Sequence, residues 1–287
     1  MTLLAIPNVS EGRDQRAIDA IADAFTARAR LLDVHSDTDH HRSVFTLAGE
    51  PGEPGELAHA VADGAAEVIR QVDLAAHEGI HPRVGAIDVA PIVYLDPADR
   101  GAACAEALVL GDLLGAELEL PVFLYGELAN GRTRAELRRG GPAALGQRIE
   151  SDDLRPDFGP HKLHPTAGAV LVAARPPLVA FNVELAPPAT LEDARSIASA
   201  IREGGPEGLE SVRAIGLWLA ARDVAQVSTN VEDYRATPLA ELIKAIARHA
   251  TPRQAELVGL APRRAFEGFP AGLPVANRRL IEDALKE

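Results

Sequence analysis

Short apolar runs alternate with amphipathic segments along most of the chain. Ile18, Ile21 and Phe25 recur at helical spacing, whereas residues 43–48 alternate apolar and polar side chains as a half-buried strand does. Predicted strands cover LLAIPNV near the N-terminus and residues 31–34, 43–48, 84–95, 121–126, 169–174, 178–185, 212–220 and 224–230. Predicted helices cover residues 14–30, 55–72, 97–115, 133–139, 191–203, 238–249 and 277–286.

A polar, proline-rich passage, ESDDLRPDFGPHKLHPTAG, interrupts this pattern, and the alternation of strands and helices begins again after it. Several predicted strands follow one another without an intervening helix, which requires antiparallel or mixed pairing rather than a doubly wound parallel sheet. We therefore predict an α/β (α+β) protein with two subdomains, residues 1–174 and 175–287, each built on a mixed β-sheet.

The composition limits the kinds of molecule that the protein is expected to bind. The 287 residues are 47% hydrophobic, which is enough for a large core. A formal net charge of −13 argues against non-specific binding to nucleic acid, which needs clustered Lys and Arg. The sequence has neither an export signal nor a long apolar run, so we expect a cytoplasmic protein without membrane partners. The single cysteine, Cys104, excludes an internal disulfide.

The stretch HEGIH, residues 77–81, matches the zinc-protease pattern H-E-x-x-H. That chemistry needs both histidines on one face of a helix. Gly79 weakens a helix interior, and Pro82 disfavours a helical backbone at His81. We therefore interpret His81 as a loop histidine, held by a His-Pro-Arg turn and suited to acid–base chemistry. Arg83, two residues further on, suits an adjacent anion.

Three more polar clusters adjoin predicted strands, where α/β proteins place ligand groups. In NVSEG, residues 8–12, Ser10 or Glu11 is expected to cap the following helix, but capping does not explain Asn8. DTDHHR, residues 37–42, suits either a metal site or a solvated hairpin loop, and both interpretations stay open. DFGPHKLH, residues 157–164, suits either a flat anionic ligand or an interdomain linker.

Seven motifs occur in order from Asn8 to Tyr234: NVSEGRD, DTDHHRSVFTLAG, HEGIHPRVGAIDVAP, PVFLYGELA, DFGPHKLHPTAG, LVAFNVEL and GLWLAARDVAQVSTNVEDY. Together they resemble the formiminotransferase domain of the glutamate formimidoyltransferases that act in histidine degradation. Each motif alone is weak, but seven in register are specific as a set. One departure is His41, because relatives often carry Asn before the arginine of the second motif.

The resemblance implies transfer of a formimino group from N-formimino-L-glutamate to N5 of tetrahydrofolate, with release of glutamate. Tetrahydrofolate is then the co-substrate, and no metal is expected. The resemblance also implies two sheets that face each other across a substrate cleft, with helices on their outer faces. We expect a homodimer, and a cyclodeaminase as a separate partner, because many relatives carry that domain downstream.

The resemblance makes His81 the catalytic residue and residues 159–168 the folate loop. Candidates for substrate or folate contacts are Asn8, Arg42, Arg83, Asp88, Glu127, Gly159, Pro160, Lys162, His164, Gly168 and Asn182. The cations among them are candidates for substrate carboxylates. The carboxylates among them are candidates for orienting His81 or for binding a cationic amidinium.

Three alternatives remain open at this point. An enzyme of the same fold can use N-formylglutamate, because the two donors differ only by O for NH. A folate-binding protein without turnover belongs to a different class, and the presence of His81 argues against it. A metal hydrolase would use Asp37, Asp39, His40, His41 and His77.

Overall fold

The structure is a computed structural model that describes residues 2–49, 55–79 and 82–287. Contacts divide the chain into two compact units, of which the first ends at Pro176 and the second begins at Pro177. The boundary predicted from the sequence lies after residue 174. In the described part of the chain, no helix combines the length and the apolar character that crossing a membrane requires.

The first unit is built on a seven-stranded mixed sheet. Its strands are β1 (Leu3–Ala5), β2 (Asn8–Val9), β3 (Arg30–Asp37), β4 (Arg42–Ala48), β5 (Ile87–Tyr94), β6 (Val122–Leu124) and β7 (Val170–Arg175). Its helices are α1 (Gln15–Thr26), α2 (Glu56–Gln71), α3 (Arg100–Ala116), α4 (Arg134–Arg138) and α5 (Gly141–Glu150). Strands β1 to β5 pair antiparallel, whereas β5, β7 and β6 pair parallel.

Helices cover both faces of this sheet to different extents. The first three helices pack on one face, where Phe25, Phe45 and Leu110 are fully buried. Helices α4 and α5 cover part of the other face, where Leu137 and Leu145 pack around the strands. Burying apolar side chains on both faces is the main source of stability for such a sheet.

The second unit is built on a five-stranded sheet in the order β12-β11-β8-β10-β9. Its strands are β8 (Val179–Leu185), β9 (Val212–Leu219), β10 (Val224–Val231), β11 (Pro252–Val258) and β12 (Val275–Ala276). Its helices are α6 (Leu191–Ile201), α7 (Leu239–Ala247) and α8 (Ile281–Ala284). Only β11 and β12 pair parallel, so this sheet is also mixed. Phe181, Ile197 and Leu242 belong to its own core.

The predicted mixed α/β architecture is confirmed, with differences in single elements. Helix α5 and strands β11 and β12 were not predicted. The helix predicted over residues 277–286 is wrong at its start, because Asn277 has a left-handed backbone with φ of 56° and the helix covers only Ile281–Ala284. The N-terminal strand is interrupted after Ala5 and resumes as β2 at Asn8.

Candidate functional site

One face of the first sheet collects polar side chains on β3 and β4. Successive side chains along a strand point to opposite faces. Val34 and Phe45 are paired in the β3–β4 ladder and pack into the helix-covered core. Their neighbours in sequence lie on the opposite face, where Asp37 is paired with Arg42. Asp37 and His35 are buried and Arg42 is half-buried, so charged groups lie within the folded unit.

Asn8 lies on the same polar face. It is paired with Val44 in the β2–β4 ladder, and Val44 is two residues from Arg42, so all three side chains share a face. The Asn8 amide nitrogen donates to the carbonyl oxygen two residues earlier, at 3.1 Å. The register therefore places two of the predicted contact residues, Asn8 and Arg42, on one surface of the sheet.

Asp88 and Arg138 form a buried ion pair beside Arg42. Arg138 Nη2 donates to Asp88 Oδ2, and Asp88 Oδ1 accepts the backbone N–H of Val84 at 2.7 Å. The exposed fractions of the two charged side chains are 14% for Arg138 and 3% for Asp88. Burial, and then the positive charge of Arg138, lower the pKa of Arg42 to about 10, while Asp88 opposes that shift. The pair therefore joins α4 to β5 close to Arg42.

The predicted catalytic His81 lies outside the described residues, but the segment on either side of it is described. The Arg83 guanidinium donates to the carbonyl oxygens of His77 and Gly79, at 2.7 and 2.9 Å. His77 Nε2 is 3.0 Å from the carbonyl oxygen of His41, and the two ring centroids are 4.2 Å apart. These contacts attach the HEGIHPR segment to the connection between β3 and β4.

The backbone around the first histidine of HEGIH is not helical. A short 3-10 turn covers Leu74–Ala76, and His77 after it is extended, with φ of −79° and ψ of 123°. The prediction that this stretch does not form the zinc-protease helix is confirmed for residues 77–79. Among the residues that the structure describes, no group of three or more His, Cys, Asp or Glu is placed to hold a metal ion. The metal-hydrolase alternative draws no support from them.

The turn that follows β2 leads into α1, and Ser10 and Glu11 lie in this turn without capping the helix. Asp14 caps α1 by accepting two backbone N–H groups of its first turn, so the capping role expected of Ser10 or Glu11 is wrong. Glu11 Oε1 accepts the N–H groups of the next three residues and lies 3.6 Å from His41 Nδ1. Ser10 Oγ donates to the carbonyl oxygen of Gly85 at 2.8 Å, which joins this turn to the HEGIHPR side.

The predicted folate loop, residues 159–168, contacts the chain on both sides of the HEGIHPR segment. The backbone N–H of Leu74 donates to the carbonyl oxygen of Thr166 at 2.8 Å. Gly85 and Gly168 form a β-bridge, so the end of the loop lies against the chain that leads into β5. The loop therefore contacts the chain at Leu74 and at Gly85, on either side of the HEGIHPR segment.

Conformation explains the two glycines at the ends of this loop. Gly159 and Gly168 have φ of 78° and 69°, a left-handed backbone that glycine adopts without steric cost. A Cβ atom at Gly168 would lie 2.3 Å from the carbonyl oxygen of Val84. His164 Nδ1 accepts the N–H of Ala167 at 3.0 Å and so stabilises the turn that precedes Gly168.

The remaining predicted contact residues of the first unit are more scattered. Lys162 is exposed and Pro160 is half-buried. Glu127 Oε1 accepts a hydrogen bond from the Tyr94 hydroxyl at 3.0 Å. Glu127 also forms an ion pair with Arg100 at the start of α3. Burial, and then the bond to Glu127, raise the pKa of Tyr94 to about 12. The structure therefore places Glu127 in its own ion pair, not in the Asp88 and Arg138 group.

Asn182 belongs to the second unit. It is buried on β8, and its amide nitrogen has no hydrogen-bond partner among the described residues. An unpaired buried amide costs free energy in the folded state, so this residue is noteworthy as a possible ligand contact.

Arg138 was not among the site residues predicted from the sequence. The short helix over residues 133–139 was predicted, but its arginines looked like those of any solvated helix. The partner, Asp88, is 50 residues earlier in the chain. No local spacing rule connects two residues at that separation, so only the fold brings them together.

Acid is expected to destabilise the protein through His35. Burial, and then the charge of Arg42, lower the pKa of His35 from its ordinary value of 6.5 to about 4. Between these two values the unfolded chain binds more protons, so the free energy of unfolding falls as the pH falls. The contribution of this group has a slope of at most about 1.4 kcal/mol per pH unit.

The measurement is urea unfolding of the wild type and of His35→Gln at several pH values across that window. We expect the variant to show a shallower loss of stability than the wild type as the pH falls. The same substitution at the exposed His161 controls for removal of an imidazole. Equal slopes for the wild type and His35→Gln would contradict the assignment.

The fold is that of an α/β protein with two units. Its candidate site comprises a polar face of the first sheet and two loops that are joined by backbone hydrogen bonds. Residues 2–175 match the formiminotransferase domain, N-terminal subdomain, and residues 180–268 match the formiminotransferase domain. The chain belongs to the formiminotransferase domain family, which confirms the resemblance seen in its motifs.

Named relatives fall into two groups by length. The chain is 38% identical over 278 residues to the formimidoyltransferase-cyclodeaminase of Sus scrofa, a match that covers 91% of this chain and 50% of that protein. It thus spans about half the length of such relatives. It is 37% identical over 273 residues to the glutamate formimidoyltransferase of Streptococcus pyogenes serotype M1, covering 91% and 89%. The glutamate formimidoyltransferase of Thermoplasma acidophilum is 35% identical over 273 residues, covering 91% and 88%.

Proposed function

We propose that this protein is a glutamate formimidoyltransferase that moves the formimino group of N-formimino-L-glutamate to N5 of tetrahydrofolate. Family membership and the two relatives of similar length with that name support the proposal. The observation that carries it is the backbone attachment of residues 159–168 to Leu74 and Gly85, which flank the segment that contains His81. That attachment joins the predicted folate loop to the chain on both sides of the predicted catalytic histidine in the sequence.

The reaction needs one proton to be taken and one to be given. N5 of tetrahydrofolate attacks the amidine carbon, and a C–N bond forms. The proton released from N5 passes to the His81 imidazole, which returns it to the glutamate nitrogen as the old C–N bond breaks. A group with a pKa near neutrality suits both transfers. Two substrates held side by side also react as if they were one molecule.

The described contacts support positioning roles for two neighbours of His81 in the sequence. Arg83 donates to the backbone on the N-terminal side of His81, so it orients that segment. Both oxygens of Asp88 accept hydrogen bonds within the protein, so Asp88 holds Arg138 and Val84 in place. Arg42 remains a candidate for a substrate carboxylate, and Asn8 and Asn182 for polar contacts with a ligand.

The proposal includes the setting of the reaction. Tetrahydrofolate serves as co-substrate, and no resident metal takes part. The protein acts in the cytoplasm as a homodimer of two units per chain, residues 1–174 and 175–287. A separate cyclodeaminase is its expected partner, since the mammalian relatives join that name to the transferase.

The test is incubation of the purified protein with tetrahydrofolate and each donor in turn, while the absorbance of the folate product is followed. We expect turnover with N-formimino-L-glutamate and release of one glutamate per product. Faster turnover with N-formyl-L-glutamate would favour the formyl alternative. Folate binding without turnover of either donor would make the protein a binding protein. Activity that a chelator abolishes and a metal restores would favour the hydrolase chemistry.

A further inference from the structure

The second sheet has a polar face in addition to the face that its helices cover. Val183 on β8 and Val227 on β10 pack in the core of the second unit. The side chains that alternate with them along each strand point to the opposite face. There Asn182 lies on β8 and Gln226 on β10, with exposed fractions of 3% and 0%. Two neutral amide side chains are therefore kept from bulk water on the face that is not part of the apolar core.

The strand register brings these two amides next to each other. In the β8–β10 ladder, Gln226 is paired with Glu184, and Ser228 is paired with Asn182. Asn182 and Gln226 are therefore diagonal neighbours on one face, which in an antiparallel sheet lie about 7–8 Å apart and within reach of long side chains. We call Asn182 and Gln226 the amide pair. One planar group of small size can contact both members.

Much of the hydrogen-bonding capacity of the amide pair is unused within the protein. The oxygen and the nitrogen of the Gln226 amide, and the nitrogen of the Asn182 amide, are buried without a hydrogen-bond partner among the described residues. Thr229, the buried polar residue of β10 on the other face, donates to the carbonyl oxygen of Phe181 at 2.6 Å. A buried polar group without a partner costs free energy, so such groups are rare in folded proteins and need a reason. Binding of a ligand supplies one.

The charges next to the amide pair indicate which kind of ligand it suits. In register on the same face, Glu184 is opposite Gln226, and Glu256 of β11 is opposite Asn182. The nearby cation Arg222 forms an ion pair with Glu184 at 2.8 Å. A ligand carboxylate at this position would lie close to protein carboxylates, and like charges repel. The amide pair therefore suits a neutral group that carries N–H donors.

We propose that Gln226 and Asn182 bind the 2-amino-4-oxopyrimidine ring of tetrahydrofolate. The inference rests on the proposed function, in which tetrahydrofolate is the co-substrate. This ring is planar and uncharged, and its edge places an amino donor beside a ring-nitrogen acceptor. The Gln226 amide offers the complementary acceptor and donor, as glutamine does when it recognises the edge of a nucleic-acid base. The Asn182 nitrogen adds a donor that suits the oxo group of the ring.

The test combines two ligands with three proteins. The ligands are tetrahydrofolate and its 2-desamino analogue, which lacks the amino donor that the Gln226 oxygen is proposed to accept. The proteins are the wild type, Gln226→Leu and Thr229→Val. Thr229 is the matched control, because it is buried on the same strand but hydrogen-bonded on the opposite face. Dissociation constants are measured by anaerobic calorimetry without a formimino donor, so that the result does not depend on turnover.

We expect Gln226→Leu to weaken the binding of tetrahydrofolate by about 10- to 100-fold, because the polar edge of the ring is then buried without its partners. The wild type should bind tetrahydrofolate more tightly than the 2-desamino analogue, and Gln226→Leu should bind the two about equally. Thr229→Val should keep the affinities and the preference of the wild type. A wild type without this preference, or a Gln226→Leu variant that retains it, would overturn the inference.

Urea unfolding without ligand separates a binding role from a structural one. Gln226→Leu replaces a buried amide that has no protein partner by an apolar side chain, so the free energy of unfolding should not fall. Lower stability together with unchanged affinity for tetrahydrofolate would mean that the amide serves the fold, and would contradict the inference. Gln226→Met is a second apolar replacement with a flexible side chain, and it takes the place of Gln226→Leu if that variant does not fold.

The same data distinguish failure of this inference from failure of the proposed function. A wild type that binds tetrahydrofolate with the expected preference but transfers no formimino group contradicts the proposed function alone. A wild type that transfers the formimino group but binds tetrahydrofolate and its 2-desamino analogue equally contradicts the role of the amide pair alone.

Discussion

His81→Ala is expected to lower kcat by about 10²- to 10⁴-fold, the usual contribution of a general acid–base group. In the proposed mechanism the imidazole takes the proton from N5 and returns it to the leaving glutamate nitrogen, and the variant lacks that group. Tetrahydrofolate should still bind, because the loop of residues 159–168 is held by its own backbone bonds. Steady-state rates and a folate titration of the same preparation provide the two values.

Added imidazole should restore part of the rate of His81→Ala, since a small base can enter the space that the side chain leaves. His249→Ala is the matched control, because His249 pairs with Glu207 in the second unit. Its rate should equal that of the wild type. Turnover of His81→Ala within a few-fold of the wild type would show that the acid–base role belongs to another residue.

Asp88→Ala is expected to lower the free energy of unfolding by about 3–5 kcal/mol, the usual cost of leaving one member of a buried ion pair alone. The substitution removes the partner of Arg138 and the acceptor of the Val84 N–H, both inside the first unit. Urea unfolding followed by circular dichroism provides the measurement.

The control is Asp63→Ala, which breaks the exposed pair with Arg28 and should cost much less. A double variant, Asp88→Ala with Arg138→Met, should recover part of the lost stability, because it no longer leaves a charge unpaired. If Asp88→Ala and Asp63→Ala are equally mild, the ion pair of Asp88 does not support the fold.

Much of the fold was predictable because most of its strands are short apolar runs and the helices α1, α2, α6 and α7 are strongly amphipathic. Helix α5 was not, since GPAALGQRIE has two glycines and a proline, which are poor helix formers. It forms because Leu145 and Ile149 pack in the core on the second face of the sheet. Strand β11 was missed as well, because its polar Arg253, Gln254 and Glu256 leave only a weak apolar pattern. It forms because its backbone pairs with β8.

The candidate site was predictable where its residues are neighbours in sequence. Arg42, Arg83 and Asp88 stand in local motifs, so their chemistry can be recognised without a structure. Arg138 contacts Asp88, which is 50 residues earlier in the chain. Glu127 contacts Tyr94, which precedes helix α3, and Arg100, which begins it. Such partners are determined by packing, which a single sequence does not specify.

His41 has a φ of 50°, in the left-handed region where Asn, Asp and His are enriched among residues with side chains. Histidine therefore tolerates this turn, and asparagine would tolerate it as well. Histidine also places its ring 4.2 Å from that of His77. Exchange of His41 for asparagine is therefore expected to leave the hairpin in shape while it removes one contact that supports the HEGIHPR segment.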